Sequence, residues 1–151
     1  MTINRFRTAA TVLIAFNILG TILTWVAHLQ QPHIGVANAV AGGTQFTGPL
    51  FLVALGAVAL ALTFSAHRIL ARIGIVLLAL FGAGFAIGEI SELFQHNVGI
   101  SAARWDVVLI GSAVGAVIGL SCATLAVLAL AAQRRASRAA GHPESSRVGA
   151  T

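Results

Sequence analysis

The chain is poor in charge and lacks several residue types altogether. Its 151 residues include no lysine, no tyrosine and a single cysteine, and residues 8–67 contain no Asp, Glu, Lys or Arg. A water-soluble domain of this size needs charged side chains across its surface and cannot leave so long a run uncharged. Charged residues make up 9% of the chain and hydrophobic residues 58%. These proportions exclude a soluble domain and predict an integral membrane protein.

Other absences limit the possible chemistry. Cys122 is the only cysteine, so the chain has no intramolecular disulfide and no CxxC redox pair. We expect Cys122 to be buried and to pack as a small apolar side chain. No nucleophile–base pair or phosphate loop is present. The net charge of +5 is divided among short pieces without aromatic partners, which argues against nucleic-acid binding. The sequence favours a non-enzymatic protein and leaves an enzyme open.

Four stretches are long and apolar enough to cross a bilayer, whose hydrocarbon core of about 30 Å needs about 20 helical residues. They cover residues 8–29, 46–66, 69–90 and 107–132. Helices are predicted because the backbone in lipid must satisfy its own hydrogen bonds, and no alternating barrel strands are seen. The predicted fold is an all-α integral membrane protein, with a four-transmembrane-helix bundle at 1–132. A disordered basic C-terminal tail at 133–151 follows it.

The arginines predict the orientation of this bundle. Arg104 falls between the third and fourth spans. All other arginines lie before the first span, at the turn between the second and third (with Arg72 near the inner edge of the third), or after the fourth. By the positive-inside rule both termini lie in the cytoplasm, and Trp25 and Trp105 then fall at the outer interface. Arginine without lysine, with abundant alanine and glycine, is typical of a bacterial chain with GC-rich coding. The predicted location is the bacterial cytoplasmic (inner) membrane, with multiple passes.

A cleaved first span is the alternative to this topology. Arg5 and Arg7 before an apolar run resemble a signal peptide, and residues 39–41 (Ala-Val-Ala) offer a small-residue cleavage site. The apolar run has the length of a full span, however, and that site lies well beyond its end. We therefore expect the first span to be retained.

Glycines at four-residue spacing predict how the last two spans pack. The fourth span has Gly111, Gly115 and Gly119, and the third has Gly84 and Gly88, preceded by Gly74 and Gly82. Small residues at this period let two helix backbones approach closely. We expect the third span to pack against the fourth, with a homo-oligomer or a larger membrane complex through these faces as the alternative.

Polar residues gather toward the predicted outer end of the bundle. Glu89, Glu92 and His96 share one face of the third helix, and Asn17, Thr21, Thr24 and His28 form a stripe on the first. An ionisable residue within the membrane is a candidate functional residue. The two sets predict a polar crevice between the first and third helices that is open to the outside, with Arg104 at its mouth.

Each of these residues also has a structural interpretation. Threonine hydroxyls often bond to the backbone of their own helix, Asn17 could bond to a neighbouring helix, and Glu92 could simply pair with Arg104. On this interpretation the polar residues hold helices together and bind nothing.

The function that fits best is a small non-enzymatic membrane protein with a binding, transport-accessory or assembly role, built around the crevice. The alternative is a membrane redox or metal-dependent protein. His28 and His96 would then bind haem, or Glu89, Glu92 and His96 would bind a divalent metal. The predicted partner is the lipid bilayer, and no cofactor is predicted.

Overall fold

The computed structural model describes residues 2–26, 37, 49–94 and 102–140, with only the backbone of residues 25, 102–105 and 139–140. This part of the chain is all-α. Its four main helices are α1 (Thr2–Val26), α2 (Leu50–Leu62), α3 (Arg68–Phe94) and α4 (Ala102–Ala140).

The helices alternate in direction. Near the start of α1, the Arg7 guanidinium donates hydrogen bonds to the carbonyl and the hydroxyl of Thr63, the first residue after α2. In the first turns of α3, Arg72 donates a 3.3 Å hydrogen bond to the Ser137 hydroxyl near the end of α4. The starts of α1 and α3 and the ends of α2 and α4 therefore meet. We call this the arginine end and the opposite end of the bundle the glutamate end.

Three of the helices are long and apolar enough to cross a membrane: α1, α3 and α4. Their outer faces carry large apolar side chains, such as Leu19 (58% exposed), Leu80 (65%) and Val117 (64%). A soluble protein rarely exposes so continuous an apolar surface, whereas lipid covers it without cost. The chain is thus a helical, multi-pass membrane protein.

The second helix is shorter than predicted. The predicted span covered residues 46–66, but α2 has 13 residues, from Leu50 to Leu62. At about 1.5 Å per residue it is about 20 Å long, less than the hydrocarbon thickness of about 30 Å. Pro49 precedes it with an extended ψ of 137°, and Thr63 and Phe64 form a hydrogen-bonded turn after it. The apolar run continues into this turn, so hydropathy alone misplaced the end.

The other helices are longer than the predicted spans. The first begins at Thr2, the third continues to Phe94, and the fourth runs from Ala102 to Ala140. Hydropathy marks only the lipid-contacting part of a helix, and alanine, arginine and glutamine favour continued helix beyond it. Residues 133–140, predicted as disordered tail, are therefore helical. The rest of the predicted tail lies outside the described residues.

Small residues bring α3 and α4 into the most extensive contact in the bundle. A Cβ atom added to Gly119 would lie 2.7 Å from the Gly82 carbonyl oxygen and 3.0 Å from the Ala86 Cβ. On the other side of α3, a Cβ on Gly74 would lie 2.5 Å from the Ala59 carbonyl oxygen of α2. Both distances are too short for a side chain, so glycine is required for these helices to approach.

Only some of the glycines predicted for packing are at helix contacts. Gly82, Gly115 and Gly119 are, whereas a Cβ on Gly84, Gly88 or Gly111 would meet no atom of the described residues within 4 Å. Gly82 and Ala86 form the contact face of α3. Gly84 and Gly88 are each two positions further on, which places them on the opposite side of the helix. Their four-residue spacing predicted a packing strip, but it does not say which way that strip points.

Candidate functional site

Glu89 lies in the interior of the bundle, toward the glutamate end. It is only 5% exposed, although it is on an apolar helix that could cross a membrane. It follows Gly82 and Ala86 at offsets of seven and three, so the face of α3 that packs on α4 also carries this carboxyl.

A glycine of α4 makes the room for this carboxyl. A Cβ added to Gly115 would lie 2.9 Å from the Glu89 carboxyl carbon, 3.0 Å from its Cγ and 3.0 Å from Cε1 of Phe16. The Glu89 side chain of α3 and the Phe16 ring of α1 therefore both lie against Gly115. Phe16 also makes an edge-to-face contact with Phe85, with ring centroids 6.2 Å apart. Three helices thus meet at the position of Glu89.

Ser112 provides a polar partner that the sequence did not single out. Its side chain is 3% exposed and forms a side-chain hydrogen bond with Glu89. The carboxyl of Glu92, one turn further along α3, is close enough to repel a negative charge on the Glu89 carboxyl. A usable signal was its position three residues before Gly115, which puts both residues on one face of α4.

We call Glu89, Glu92 and Ser112 the carboxyl site. Its groups are two carboxyls and a hydroxyl, all of which present oxygen atoms. In the described part of the chain no arginine forms an ion pair with Glu89. Buried carboxyl and hydroxyl oxygens are groups that can bind a small cation or accept a hydrogen bond from a ligand.

The polar stripe on α1 is buried and bonds to its own helix. Asn17, Thr21 and Thr24 are 1%, 7% and 4% exposed. The Asn17 amide donates to the Leu13 carbonyl at 3.0 Å, and the Thr21 and Thr24 hydroxyls donate to carbonyls one turn earlier at 2.9 and 2.8 Å. The threonine contacts match the structural interpretation of the stripe, whereas the Asn17 amide bonds to its own helix and not to a neighbouring one.

The described parts of α1 and α3, which were predicted to line a crevice together, have little contact with each other. The first helix packs mainly against α4 and next against α2, and it touches α3 over a small area near Phe16 and Phe85. The Glu89 carboxyl of α3 and the Phe16 ring of α1 thus both lie against α4. This follows from Gly115, whose missing side chain lets α1 and α3 reach the same point of α4.

The remaining predicted residues have less complete descriptions. Glu92 is half-buried. His28 and His96 lie outside the described residues, and only the backbone of Arg104 is described, in the first turn of α4. Among the described residues no group of three His, Cys, Asp or Glu side chains could hold a metal. The haem and metal alternatives both depend on histidines beyond that part, so they stay predictions.

The lone cysteine belongs to the core. Cys122 is fully buried beside Leu78, Ile75 and Leu13, and its thiol lies 3.9 Å from the Leu78 carbonyl oxygen. A thiol in such apolar surroundings packs as a small hydrophobic side chain.

Comparisons with known proteins find no match for the chain among protein-family models, curated proteins or solved structures.

Proposed function

We propose that the chain is a small non-enzymatic binding protein of the bacterial inner membrane, which takes a small cation at the carboxyl site. The observation that carries this proposal is the burial of Glu89 against Gly115. A carboxyl in an apolar bundle costs several kcal/mol unless it is compensated, and a bound cation would provide such compensation.

The proposed topology has four crossings with both termini in the cytoplasm. Every described arginine side chain is at the arginine end, and Glu89, Glu92 and Asp106 are toward the glutamate end. The positive-inside rule makes the arginine end cytoplasmic. Since α1 and α3 run in the same direction, the chain between them has to return across the membrane. The second helix supplies about 20 Å of that return.

The carboxyl site then lies near the outer surface. Glu89 is 21 residues after Arg68, the first residue of α3. At about 1.5 Å per residue this is about 30 Å along the helix, close to the thickness of the hydrocarbon core. A cation from the outside can reach this depth without crossing the bilayer. Assembly or transport-accessory roles remain compatible with such a site, because a bound cation can stabilise the junction of three helices.

The test is protection of Glu89 from chemical modification. A hydrophobic carbodiimide reacts with carboxyl groups in apolar surroundings, and mass spectrometry identifies the modified residue. We expect Glu89 to be modified in native membranes and Na⁺ or Ca²⁺ to slow this reaction several-fold. The exposed Asp106 is the internal control, which these ions should not protect.

Two variants sharpen this test. Glu89→Gln keeps the shape of the side chain and should abolish the ion-sensitive modification. Gly115→Ala keeps the carboxyl but places a methyl group 2.9 Å from its carbon, so the carboxyl moves and the protection should weaken. The cation proposal is refuted if no ion slows the modification of Glu89 more than choline chloride does at equal ionic strength.

A further inference from the structure

A cavity of about 350 Å³ opens at the arginine end, away from the carboxyl site. The start of α1, the turn between α2 and α3, and the end of α4 form its walls. Three arginines line it, Arg7, Arg68 and Arg72, together with the hydroxyl-bearing residues Thr63 and Ser137. The described residues that line it include no acidic side chain. A cavity lined by three guanidinium groups has the electrostatic character of an anion site.

Contacts within the protein hold two of these guanidinium groups in place. Arg7 bonds to Thr63 and lies 4.0 Å from the centre of the Phe64 ring. Arg72 bonds to Ser137. A guanidinium group has more N–H donors than these contacts use, so donors remain for a ligand. Pre-positioned arginines favour phosphate, because their planar fork matches two phosphate oxygens.

An apolar groove adjoins the cavity and shares one of its arginines. The groove is lined by Arg72, Ile69, Ile73, Val76 and Leu77, all of α3, and also has a volume of about 350 Å³. It follows the outer face of α3 away from the arginine end. A polar cavity for a phosphate that continues into an apolar groove matches the two parts of a phospholipid, the headgroup and an acyl chain.

We propose that this cavity and groove bind an anionic phospholipid, with the phosphate group held by Arg7, Arg68 and Arg72 and an acyl chain lying along Ile73 and Leu77. Basic cavities between helices at the cytoplasmic side of a membrane are suited to anionic headgroups. The lipid would connect α1, the α2–α3 turn and the end of α4. The site is independent of the carboxyl site.

The shared chemistry is a phosphate group, and the groove is what favours a lipid over a soluble phosphate compound. The probes are therefore dioleoylphosphatidylglycerol and, separately, inorganic phosphate and glycerol 3-phosphate. Binding to the delipidated full chain in detergent is measured by native mass spectrometry and by the shift in thermal unfolding. We expect the lipid to bind and to raise the unfolding temperature, and millimolar inorganic phosphate to compete weakly.

Matched arginine pairs separate a built site from general attraction to positive charge. Arg68→Gln with Arg72→Gln removes two charges from the cavity, and Arg134→Gln with Arg135→Gln removes two from exposed positions of α4 that do not line it. The cavity pair should lower the affinity for phosphatidylglycerol at least tenfold, and the control pair less than twofold. Equal losses in the two pairs would overturn the proposal, since both pairs carry the same charge.

A groove variant distinguishes the two sources of phosphate. Ile73→Trp fills the groove from an exposed position and leaves the arginines unchanged. It should weaken binding of phosphatidylglycerol and leave any binding of inorganic phosphate unaltered. If glycerol 3-phosphate binds as tightly as the lipid, or if Ile73→Trp leaves lipid binding unchanged, the ligand is a soluble phosphate compound and the lipid proposal is wrong.

Discussion

The contact between Gly82 and Gly119 gives the most direct test of how the two longest helices pack. In Gly119→Ala the new methyl group would lie 2.7 Å from the Gly82 carbonyl oxygen and 3.0 Å from the backbone nitrogen and Cβ of Ala86. Two of these three atoms belong to the backbone, which cannot turn aside as a long side chain can. The α3 and α4 helices must therefore separate by several tenths of an ångström along this face.

The expected change in the free energy of unfolding is the sum of two opposing effects. Overfilling a packed interface costs about 1–3 kcal/mol. Replacing glycine by alanine inside a helix stabilises it by about 1 kcal/mol, a value measured in water. Gly84→Ala provides the matched control, because a Cβ there meets nothing within 4 Å. The two variants share the helix-propensity gain. Their difference isolates the cost of the contact, and we expect Gly119→Ala to be less stable than Gly84→Ala by about 1–3 kcal/mol.

Reversible unfolding of the purified chain in mixed micelles with increasing sodium dodecyl sulfate measures this difference. Circular dichroism follows loss of helix, and tryptophan fluorescence provides a second signal. The reasoning fails if the two variants unfold at the same detergent fraction, or if Gly84→Ala is the less stable one. Either result would mean that α3 presents a different face to α4.

Two further predictions concern the orientation of the bundle and the α1 stripe. Reporter fusions at residues 40 and 100 should report the outside, and fusions at residue 70 and at the C-terminus the cytoplasm; a cytoplasmic signal at residue 100 would rule out the proposed topology. Asn17→Leu should change the free energy of unfolding by less than about 1 kcal/mol, because the Asn17 amide bonds to a carbonyl of its own helix and leucine has a similar shape. A loss above about 2 kcal/mol in the same micelle assay would show that this amide holds another helix.

The fold class follows from the sequence because it depends on composition. A long stretch without charge can lie only in lipid, and in lipid only a helix satisfies an isolated backbone segment. The helix ends are less predictable, since they depend on local backbone hydrogen bonds. Thr63 and Phe64 are in an apolar run yet form a turn, and residues 133–140 are polar yet helical. Hydropathy responds to the lipid around a helix, whereas both of these helix ends are set by backbone hydrogen bonds.

Part of the candidate site was predictable for a similar reason. Glu89 stands out because a carboxylic acid within an apolar helix is costly, whatever surrounds it. Its partners do not stand out, because which residues of α4 face α3 depends on the angle and register of the two helices. Ser112 is one of several small polar residues on α4, and only contact with α3 distinguishes it from Ser121, which is exposed.

The glycines of α4 show why one sequence pattern can have two roles. Gly115 and Gly119 are one turn apart on the same face, and both are buried. Opposite Gly119 is the backbone of α3, so this glycine brings two helices together. Opposite Gly115 is the carboxyl of Glu89, so this glycine leaves space for a side chain. Four-residue spacing of small residues predicts the close approach of two helices in both cases. A small residue that faces a buried acid indicates, in addition, space for a binding site.

An ionisable residue seven positions after a packing glycine, as Glu89 follows Gly82, is on the same helix face and must lie against the helix on which that glycine packs. The position of the carboxyl site is thus a consequence of helix packing, and Gly115→Ala, which moves the carboxyl, should disturb the site more than it disturbs the bundle.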